Sequence, residues 1–382
     1  MVDPVGLLVV VVAAFAGGAF GAAVGALPAL TLAGVALVVG ELAELLGGAP
    51  PPTAGSPVAL GATGLTASVG LGPFLGPQVA FAGGAAAAAF AARKGSLDHP
   101  FPYHHAKAVA RPLGLRADAL VAGGAFGVVG LLLTGLSAGT FGPVGGTLPW
   151  PGLPWDPLAF SIVVSGFLHR LAFGYPLVGT VRGGVLDMRP YARGERRGPP
   201  PTRSDEDASP PDAEELASTH LSRFVVEPWR PEQSDWVRVA LVGVGAGVLA
   251  ALVTYLTGRP LLAFGLAVAS LAFVLVDDER IPDAFPVTYH VALPAGVAVV
   301  GLAGSATGGA VAAAVSPAVA LVAGALVGTF AALVGEVAQR VLYAHADTHL
   351  DPPMVAILLT SFLLAVLDVA GVLTQNTIPT PF

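Results

Sequence analysis

The stretch Leu158–Gly179, LAFSIVVSGFLHRLAFGYPLVG, is apolar enough and long enough to cross a bilayer, yet it carries His169 and Arg170 near its middle. A membrane-crossing helix needs about 20 residues. An arginine in hydrocarbon costs about 2.5–3.5 kcal/mol on insertion scales, so it is rarely kept there without a partner. An unbroken helix through Tyr175–Pro176 makes Arg170 a candidate site, whereas a helix that ends near Phe167 makes it an interfacial anchor.

Composition places the whole chain in a membrane. Of its 382 residues, 54% are hydrophobic and 11% are charged, and the mean hydropathy is +0.75. Soluble proteins carry about 25% charged residues, so the chain is predicted to be an integral membrane protein. The absence of cysteine excludes disulfides, thiolate metal sites and thiol nucleophiles. The first residues, MVDPVGLL, lack the basic region of a signal peptide and predict a first membrane helix.

Apolar segments recur along the chain at membrane-spanning length. They predict an all-α, polytopic bundle of about ten spans (9–11), with broken or re-entrant helices. The predicted spans are 5–26, 29–47, 76–92, 118–138, 158–179, 237–257, 260–276, 287–305, 309–335 and 354–373. The stretch GLGPFLGPQ (70–78), with glycine before each proline, predicts a break inside the membrane.

Basic residues are concentrated in two loops. Of the 18 Lys and Arg residues, five lie in 93–116 and nine in 182–238. Because cytoplasmic loops carry an excess of basic residues, both loops are predicted to be cytoplasmic and both termini to lie outside the plasma membrane. The predicted units are an N-terminal membrane half (1–181), a largely disordered cytoplasmic linker (182–236) and a C-terminal membrane half (237–382).

Five predicted spans lie on each side of the linker. Two halves with an odd number of spans have opposite orientations, which is the inverted 5+5 arrangement of many transporters. Internal similarity is slight: residues 76–93 can be aligned with 316–333, but those two segments would run in the same direction. A bias toward Ala and Gly is sufficient to produce such a match.

Few ionisable residues lie within the apolar segments, and Arg170 is the only deep cation among those predicted. Glu41, Glu44 and Asp368 are the candidate partners of Arg170, because a pair would remove much of the cost of burial. The predicted substrate-binding residues are Arg170, His169, Asp368, Thr31 and Gln78, and the predicted ion- or proton-coupling residues are Glu41, Glu44 and Glu336. The alternative for these charges is a helix-end or interfacial position that faces water.

A second cluster of titratable residues is HADTHLD, which contains His345, Asp347, His349 and Asp351. Alternating histidine and carboxylate side chains are able to bind a divalent metal. The alternative is a solvated loop at a helix end, where histidine complements the helix dipole. The chain has no HExxH motif and no Walker-type phosphate loop, which disfavours a metalloprotease and ATP-driven transport.

Residues 17–130 resemble the large permease subunit of tripartite tricarboxylate transporters. The resemblance is carried by the break Gly25–Leu30, the break Gly72–Gln78, the segment Ala92–Gly95 and the turn Pro112–Gly114. Ala29 departs from the family pattern, which has glycine after the proline, and the second half of the chain shows no match. The resemblance implies a permease that binds solute at broken helices and works with an extracytoplasmic binding protein or a small membrane subunit.

These features predict a transporter for a small organic anion, coupled to H⁺ or Na⁺. Arg170 favours an anion, because a guanidinium binds carboxylates well. No cofactor and no nucleic-acid partner are predicted. One alternative is a membrane scaffold that recruits a partner through 182–236, and another is an intramembrane metalloenzyme that uses 345–351.

Overall fold

The computed structural model describes residues 4–47, 64–97, 104–140, 148–150, 152–179, 181, 184–192, 226–276, 285–304 and 308–373. Within these ranges the regular structure is helical, and no β-strand occurs. The α-helices of the described ranges are α1 (Pro4–Val24), α2 (Ala26–Leu46), α3 (Ala80–Arg93), α4 (Ala117–Ala138), α5 (Pro157–Ala172), α6 (Arg189–Ala192), α7 (Trp236–Thr257), α8 (Pro260–Ala269), α9 (Tyr289–Ala303), α10 (Gly308–Ala314), α11 (Pro317–Ala338) and α12 (Pro352–Val369). Most of the linker, including its predicted disordered part, lies outside the described residues.

Six of the described helices are long and apolar enough to cross a bilayer. They are α1, α2, α4, α7, α12 and the combined α11 and π-helical segment Pro317–Ala344. Three shorter apolar helices cover 157–172, 260–275 and 289–303. The protein is therefore an all-helical membrane protein, as its composition predicts.

The predicted break before α3 is confirmed. The chain forms a π-helical turn at Thr66–Gly70 and then runs without regular helix until Ala80. Gln78 stabilises this irregular backbone, because its Nε2 donates to the Leu71 carbonyl at 2.8 Å. As a result, α3 has 14 residues and is shorter than the span predicted for it.

Glycines bring two pairs of helices into backbone contact. A methyl group added to Gly18 of α1 would lie 2.1 Å from the carbonyl oxygen of Gly123 in α4. A methyl group added to Gly247 of α7 would lie 2.2 Å from the carbonyl oxygen of Gly324 in α11. Small residues permit such close approach in membranes, where packing rather than hydrophobicity drives helix association.

The contacts of these two pairs match position by position. In the first pair, Gly18 contacts Gly123 and Gly127. In the second pair, Gly247 contacts Gly324 and Gly328. The packing of the remaining helices also repeats. The helix α3 packs on α1 and α4, and α9 packs on α7 and α11 in the same way. Next, α5 packs on α3 and α4, just as α12 packs on α9 and α11.

Equivalent helices of the two halves meet in antiparallel fashion. Gly34 of α2 faces Val268 of α8, and Gly265 of α8 faces Leu37 of α2. Likewise α5 runs antiparallel to α12: Gly166 faces Leu350, and the backbone N–H of Asp156 donates to Ser361 Oγ at 2.8 Å. Both helix pairs are therefore antiparallel, and each joins a helix of the N-terminal part of the chain to a helix of the C-terminal part.

The internal alignment suggested by the sequence is wrong in register. It placed 76–93 on 316–333, which would make α3 equivalent to α11. The helix contacts instead make α4 the equivalent of α11 and α3 the equivalent of α9. The short, Ala-rich sequence of α3 aligns with almost any small-residue helix, and this caused the misalignment.

Segments from several parts of the chain gather at one end of the bundle, which we call the loop end. Lys107 binds Glu227 there at 3.0 Å, and the Glu227 N–H donates to the Ala344 carbonyl. Arg230 donates to the Phe285 carbonyl at 3.2 Å. The loop 104–116, the end of the linker and the segment 339–351 therefore share one end, which agrees with their predicted location on one side of the membrane.

Candidate functional site

The sequence offers two alternatives for α5, a helix that ends near Phe167 or one that runs through Tyr175–Pro176, and the observed end lies between them. Asp156 starts it as N-cap, accepting from Ala159 N at 2.7 Å, and Pro157 occupies its first turn. The helix stops at Ala172, beyond Phe167 but before Tyr175. Arg170 thus lies in the last turn of α5, and its side chain is fully buried.

The Arg170 guanidinium binds oxygen atoms of the surrounding chain. Its Nε donates to Thr348 Oγ1 at 2.9 Å, and Nη2 donates to the carbonyls of Leu342 and Thr348 at 2.7 and 3.2 Å. Its Nη1 donates to the Leu177 carbonyl. Arg170 therefore joins the end of α5 to the segment 342–348, and its predicted role as a substrate ligand stays a prediction.

The predicted pairing of Arg170 with Glu41 or Glu44 is wrong, and Arg170 is not the only deep cation. Arg259, only 2% exposed, donates to Glu41 at 3.2 Å and to Glu44 at 2.9 Å. Thr66 adds a hydrogen bond to Glu41 at 3.1 Å. This cluster lies where α2 ends and α8 begins, at the end of the bundle opposite to the loop end, so it cannot reach Arg170.

The predicted pairing with Asp368 is also wrong. Asp368 lies near the C-terminus of α12, whereas Arg170 contacts the segment just before the start of that helix. A helix rises about 1.5 Å per residue, so the length of α12 separates the two side chains by roughly 25 Å. Asp368 is partly buried, and its predicted substrate role stays a prediction.

Asp351 is the centre of a second set of hydrogen bonds at the loop end. As the N-cap of α12 it accepts from Met354 N at 3.0 Å. The Tyr289 hydroxyl donates to Asp351 Oδ2 at 2.6 Å, and His349 Nε2 lies 3.2 Å from Oδ1. Asp351 thereby connects α9, α12 and the segment that precedes α12, and each of these three side chains is at most 2% exposed.

The four side chains predicted as metal ligands do not converge on one point. Within the part of the chain that the structure describes, which includes all four residues, no three His, Cys, Asp or Glu side chains converge to hold a metal. His345 faces the Val185 carbonyl at 3.0 Å, while His349 faces Asp351. The segment 345–351 is also buried rather than solvated, and Asp347 interacts electrostatically with Arg170.

A small cavity lies between α3, α5 and the segment before α12, with room for about one water molecule. Its lining is Phe81, Ala82, Ala85, Ile162, Ser165, Gly166, His169, His349, Leu350 and Asp351. Three polar atoms of this lining, each on a side chain 1% exposed, have no hydrogen-bond partner among the described residues: Ser165 Oγ, His169 Nδ1 and His349 Nδ1. Buried polar atoms are normally satisfied, so this cavity is the strongest candidate site in the described chain.

The remaining predicted site residues lie apart from this cavity. Thr31 donates to the Leu27 carbonyl of its own helix at 2.9 Å. Glu336 is buried against Arg340 at 2.5 Å and Gln339 at 2.7 Å. Their predicted roles, and that of Gln78 in the break before α3, stay predictions.

Sequence reasoning missed the buried pair of Lys107 and Glu227. Both side chains are at most 2% exposed, and Lys107 Nζ also lies 4.4 Å from the centre of the Tyr343 ring. The two residues come from different loops far apart in sequence, so no local pattern indicates their contact. The pair fixes the end of the linker to the bundle beside the candidate site.

A family model matches residues 2–381, and its description is "Family of unknown function (DUF7973)". The chain belongs to this family. The match covers nearly the whole length of the chain. No curated protein and no solved structure matches the chain.

Proposed function

We propose that this protein is a membrane permease built from two inverted halves. The observation that carries the proposal is the antiparallel contact of equivalent helices, α2 with α8 and α5 with α12. Inverted halves give a transporter two related conformations, each open to one side of the membrane. A scaffold has no need of such an arrangement.

Each long segment runs between the loop end and the opposite end. α1 and α3 finish at the loop end, where Leu27 N donates to the Val109 carbonyl. α2 finishes at the opposite end beside Arg259. The proposed topology therefore has ten crossings, with α1 starting and α12 finishing at the opposite end. The excess of basic residues in its loops supports a cytoplasmic location for the loop end.

A small organic anion is the proposed solute. Arg170 supplies a buried positive charge at the contact of the two halves, and Ser165 and His169 line the neighbouring cavity. The resemblance of residues 17–130 to the permease subunit of tripartite tricarboxylate transporters supports the same class of solute. Asp351 and the acidic pair Glu41 and Glu44 are the proposed groups for coupling to H⁺ or Na⁺, and an extracytoplasmic binding protein is the proposed partner.

Side-specific labelling tests the inverted arrangement without knowledge of the solute. The chain has no cysteine, so single cysteines need no background removal. Exposed positions are available at both ends in both halves: Leu115 and Val276 at the loop end, Leu46 and Val372 at the opposite end. An impermeant maleimide should label Leu115→Cys and Val276→Cys from one side of proteoliposomes and Leu46→Cys and Val372→Cys from the other. Any other grouping contradicts the proposal.

Uptake of labelled citrate and succinate into proteoliposomes, under an imposed pH or Na⁺ gradient, tests the solute class. Arg170→Lys should abolish uptake, because lysine cannot reproduce the fork of donors that guanidinium provides. Arg116→Lys is the matched control, since Arg116 is partly exposed at the loop end and should tolerate the change. Uptake that survives Arg170→Lys unchanged would contradict the anion site.

A further inference from the structure

The antiparallel helices α5 and α12 begin with the same sequence pattern. Asp156-Pro157 starts α5 and Asp351-Pro352 starts α12, each aspartate as N-cap. At equal distances from these caps lie Ile162 and Ile357. Because the helices are antiparallel, the equivalent positions lie toward opposite ends of the bundle.

Each end of this helix pair has its own cavity. The cavity at the loop end is lined by Asp351 and Ile162. The cavity at the opposite end is lined by Asp156 and Ile357, together with Leu158, Leu293 and Met354. Each cavity thus combines the cap of one helix with the equivalent isoleucine of the other, as expected of two sites related by the repeat.

Polar atoms without partners follow the same symmetry. Ser165 of α5 and Thr360 of α12 occupy equivalent positions, with exposures of 1% and 0%. The hydroxyl of each has no hydrogen-bond partner among the described residues. Each residue lies one turn beyond the equivalent isoleucine of its helix, Ile162 or Ile357. Ser165 lines the loop-end cavity, whereas Thr360 is not among the residues that line the cavity at the opposite end.

The loop-end cavity offers both acceptors and donors. His349 Nε2 faces the Asp351 carboxylate, so a neutral ring donates through Nε2 and leaves the Nδ1 lone pair as an acceptor. Arg170 Nε donates to Thr348 Oγ1, which also lies 3.3 Å from His169 Nε2. The Nδ1 atom of His169 donates or accepts according to the ring tautomer, and the Ser165 hydroxyl serves in either role.

We propose that these two cavities are the two ends of one solute path along α5 and α12, and that the small organic anion binds Ser165, His169 and His349. This inference rests on the permease proposal and specifies where the solute passes. In this conformation the loop-end cavity is small, so the solute enters when the halves move apart along these helices. Arg170 acts as a positioning residue that orients His169 through Thr348.

Cysteine reactivity at equivalent positions tests the path. Ile162→Cys and Ile357→Cys place a thiol in each cavity, and Ser161→Cys and Ala356→Cys are matched controls. Both control positions are fully buried beside the reporters but line neither cavity. The probe is an impermeant, negatively charged methanethiosulfonate added to either side of proteoliposomes.

The proposed path predicts that Ile162→Cys reacts from the side of Leu115 and that Ile357→Cys reacts from the side of Leu46. Each should react at least about tenfold faster than its control, because residues that line a path become accessible more readily than residues of the packed core. If a reporter does not fold, Ser165→Cys replaces Ile162→Cys and Leu158→Cys replaces Ile357→Cys, because each lines the same cavity as the residue that it replaces. Reporters no faster than their controls, or reactive from the same side, overturn the path. The path alone fails if the four end cysteines still label as predicted, whereas the permease proposal fails if they do not.

Discussion

Asp156 and Asp351 occupy the same position of a repeated helix but differ in their surroundings. Asp156 caps α5 through Ala159 N, and its neighbours in the adjoining cavity are Leu, Ile, Met, Pro and Phe side chains. Asp351 caps α12 and also binds Tyr289 and His349. The comparison shows that the two helices share their packing, whereas the additional polar contacts of this helix pair lie at the loop end.

The same contrast holds for Arg170. Its equivalent in α12 is Ala365, which is buried but carries no polar group. His169 is likewise replaced by Leu364. Backbone packing is thus a property of both halves, whereas the candidate site, which both halves line, lies at the loop end. Each prediction below separates these two properties.

The largest effect should come from filling the glycine contacts. Gly18→Val and Gly247→Val should each destabilise the folded protein by about 3 kcal/mol or more, because the added atoms meet backbone that cannot move aside. Gly245→Val is the control, since nothing lies within 4 Å of its Cβ position. Thermal unfolding in detergent measures the stability of all three variants. A large loss of stability for only one of Gly18→Val and Gly247→Val would contradict equivalent glycine contacts in the two halves.

Removing Arg170 should have the next largest effect. Arg170→Ala leaves the buried oxygens of Leu177, Leu342 and Thr348 without their donor, which should cost about 3 kcal/mol. Arg116→Ala, at a partly exposed ion pair, should cost about 1 kcal/mol or less. Unfolding midpoints in detergent compare the two. Equal losses would mean that the buried network contributes little.

The two N-cap aspartates should respond differently to the same change. Asparagine is a good N-cap, so Asp156→Asn should cost less than about 0.5 kcal/mol. Asp351→Asn should cost about 1.5–3 kcal/mol, because it weakens charge-assisted hydrogen bonds to buried Tyr289 and His349. Chemical denaturation of the two variants checks the difference, and a greater loss for Asp156→Asn would reverse the comparison.

The smallest effect should be on the pH dependence of stability. Burial lowers the pKa of His345 below its usual 6.5, Lys107 lowers it further, and the Val185 carbonyl and Asp187 oppose this shift. The unfolded chain therefore takes up a proton first as pH falls. Stability should be steady above about pH 7.5 and decline as pH falls through 6.5. His345→Gln should flatten this decline in unfolding midpoints measured against pH, and an unchanged decline would exclude His345 as its source.

Much of the fold could be predicted because hydrophobicity reports it directly. The apolar spans and the Pro-Gly break before α3 are local properties, and the structure places helices close to the predicted ranges. The repeat also has a sequence signal: Asp-Pro is followed at the same distance by Phe-Leu in Phe167-Leu168 and in Phe362-Leu363. That signal is sparse among small apolar residues, which explains the misplaced alignment.

The partners of buried charges could not be predicted. Arg259 lies 218 residues from Glu41, and Lys107 lies 120 residues from Glu227. Such contacts depend on how the halves meet, which no local pattern specifies. His169, Arg170 and the segment 345–351 stand out in the sequence because they carry titratable side chains in or beside apolar segments. Ser165 and Tyr289 give no such signal, and only the fold brings them close to these residues.

The most direct test of the inverted halves is disulfide formation between α5 and α12 in this cysteine-free chain. A Cβ at Gly166 would lie 3.7 Å from Leu350 Cβ, within the usual disulfide range of about 3.5–4.5 Å. The repeat makes Trp155 and Ser361 the equivalent pair. We expect both double variants, Gly166→Cys/Leu350→Cys and Trp155→Cys/Ser361→Cys, to form a disulfide on oxidation. The readout is that the two halves stay covalently joined after a protease cleaves the linker.

The swapped pairs, Gly166→Cys/Ser361→Cys and Trp155→Cys/Leu350→Cys, should remain reduced. Equivalent positions lie about ten residues apart along the antiparallel helices, or roughly 15 Å. Efficient cross-linking of both matched pairs and neither swapped pair is the result that two inverted halves predict. Cross-linking of the swapped pairs, or of only one matched pair, would contradict the inverted arrangement.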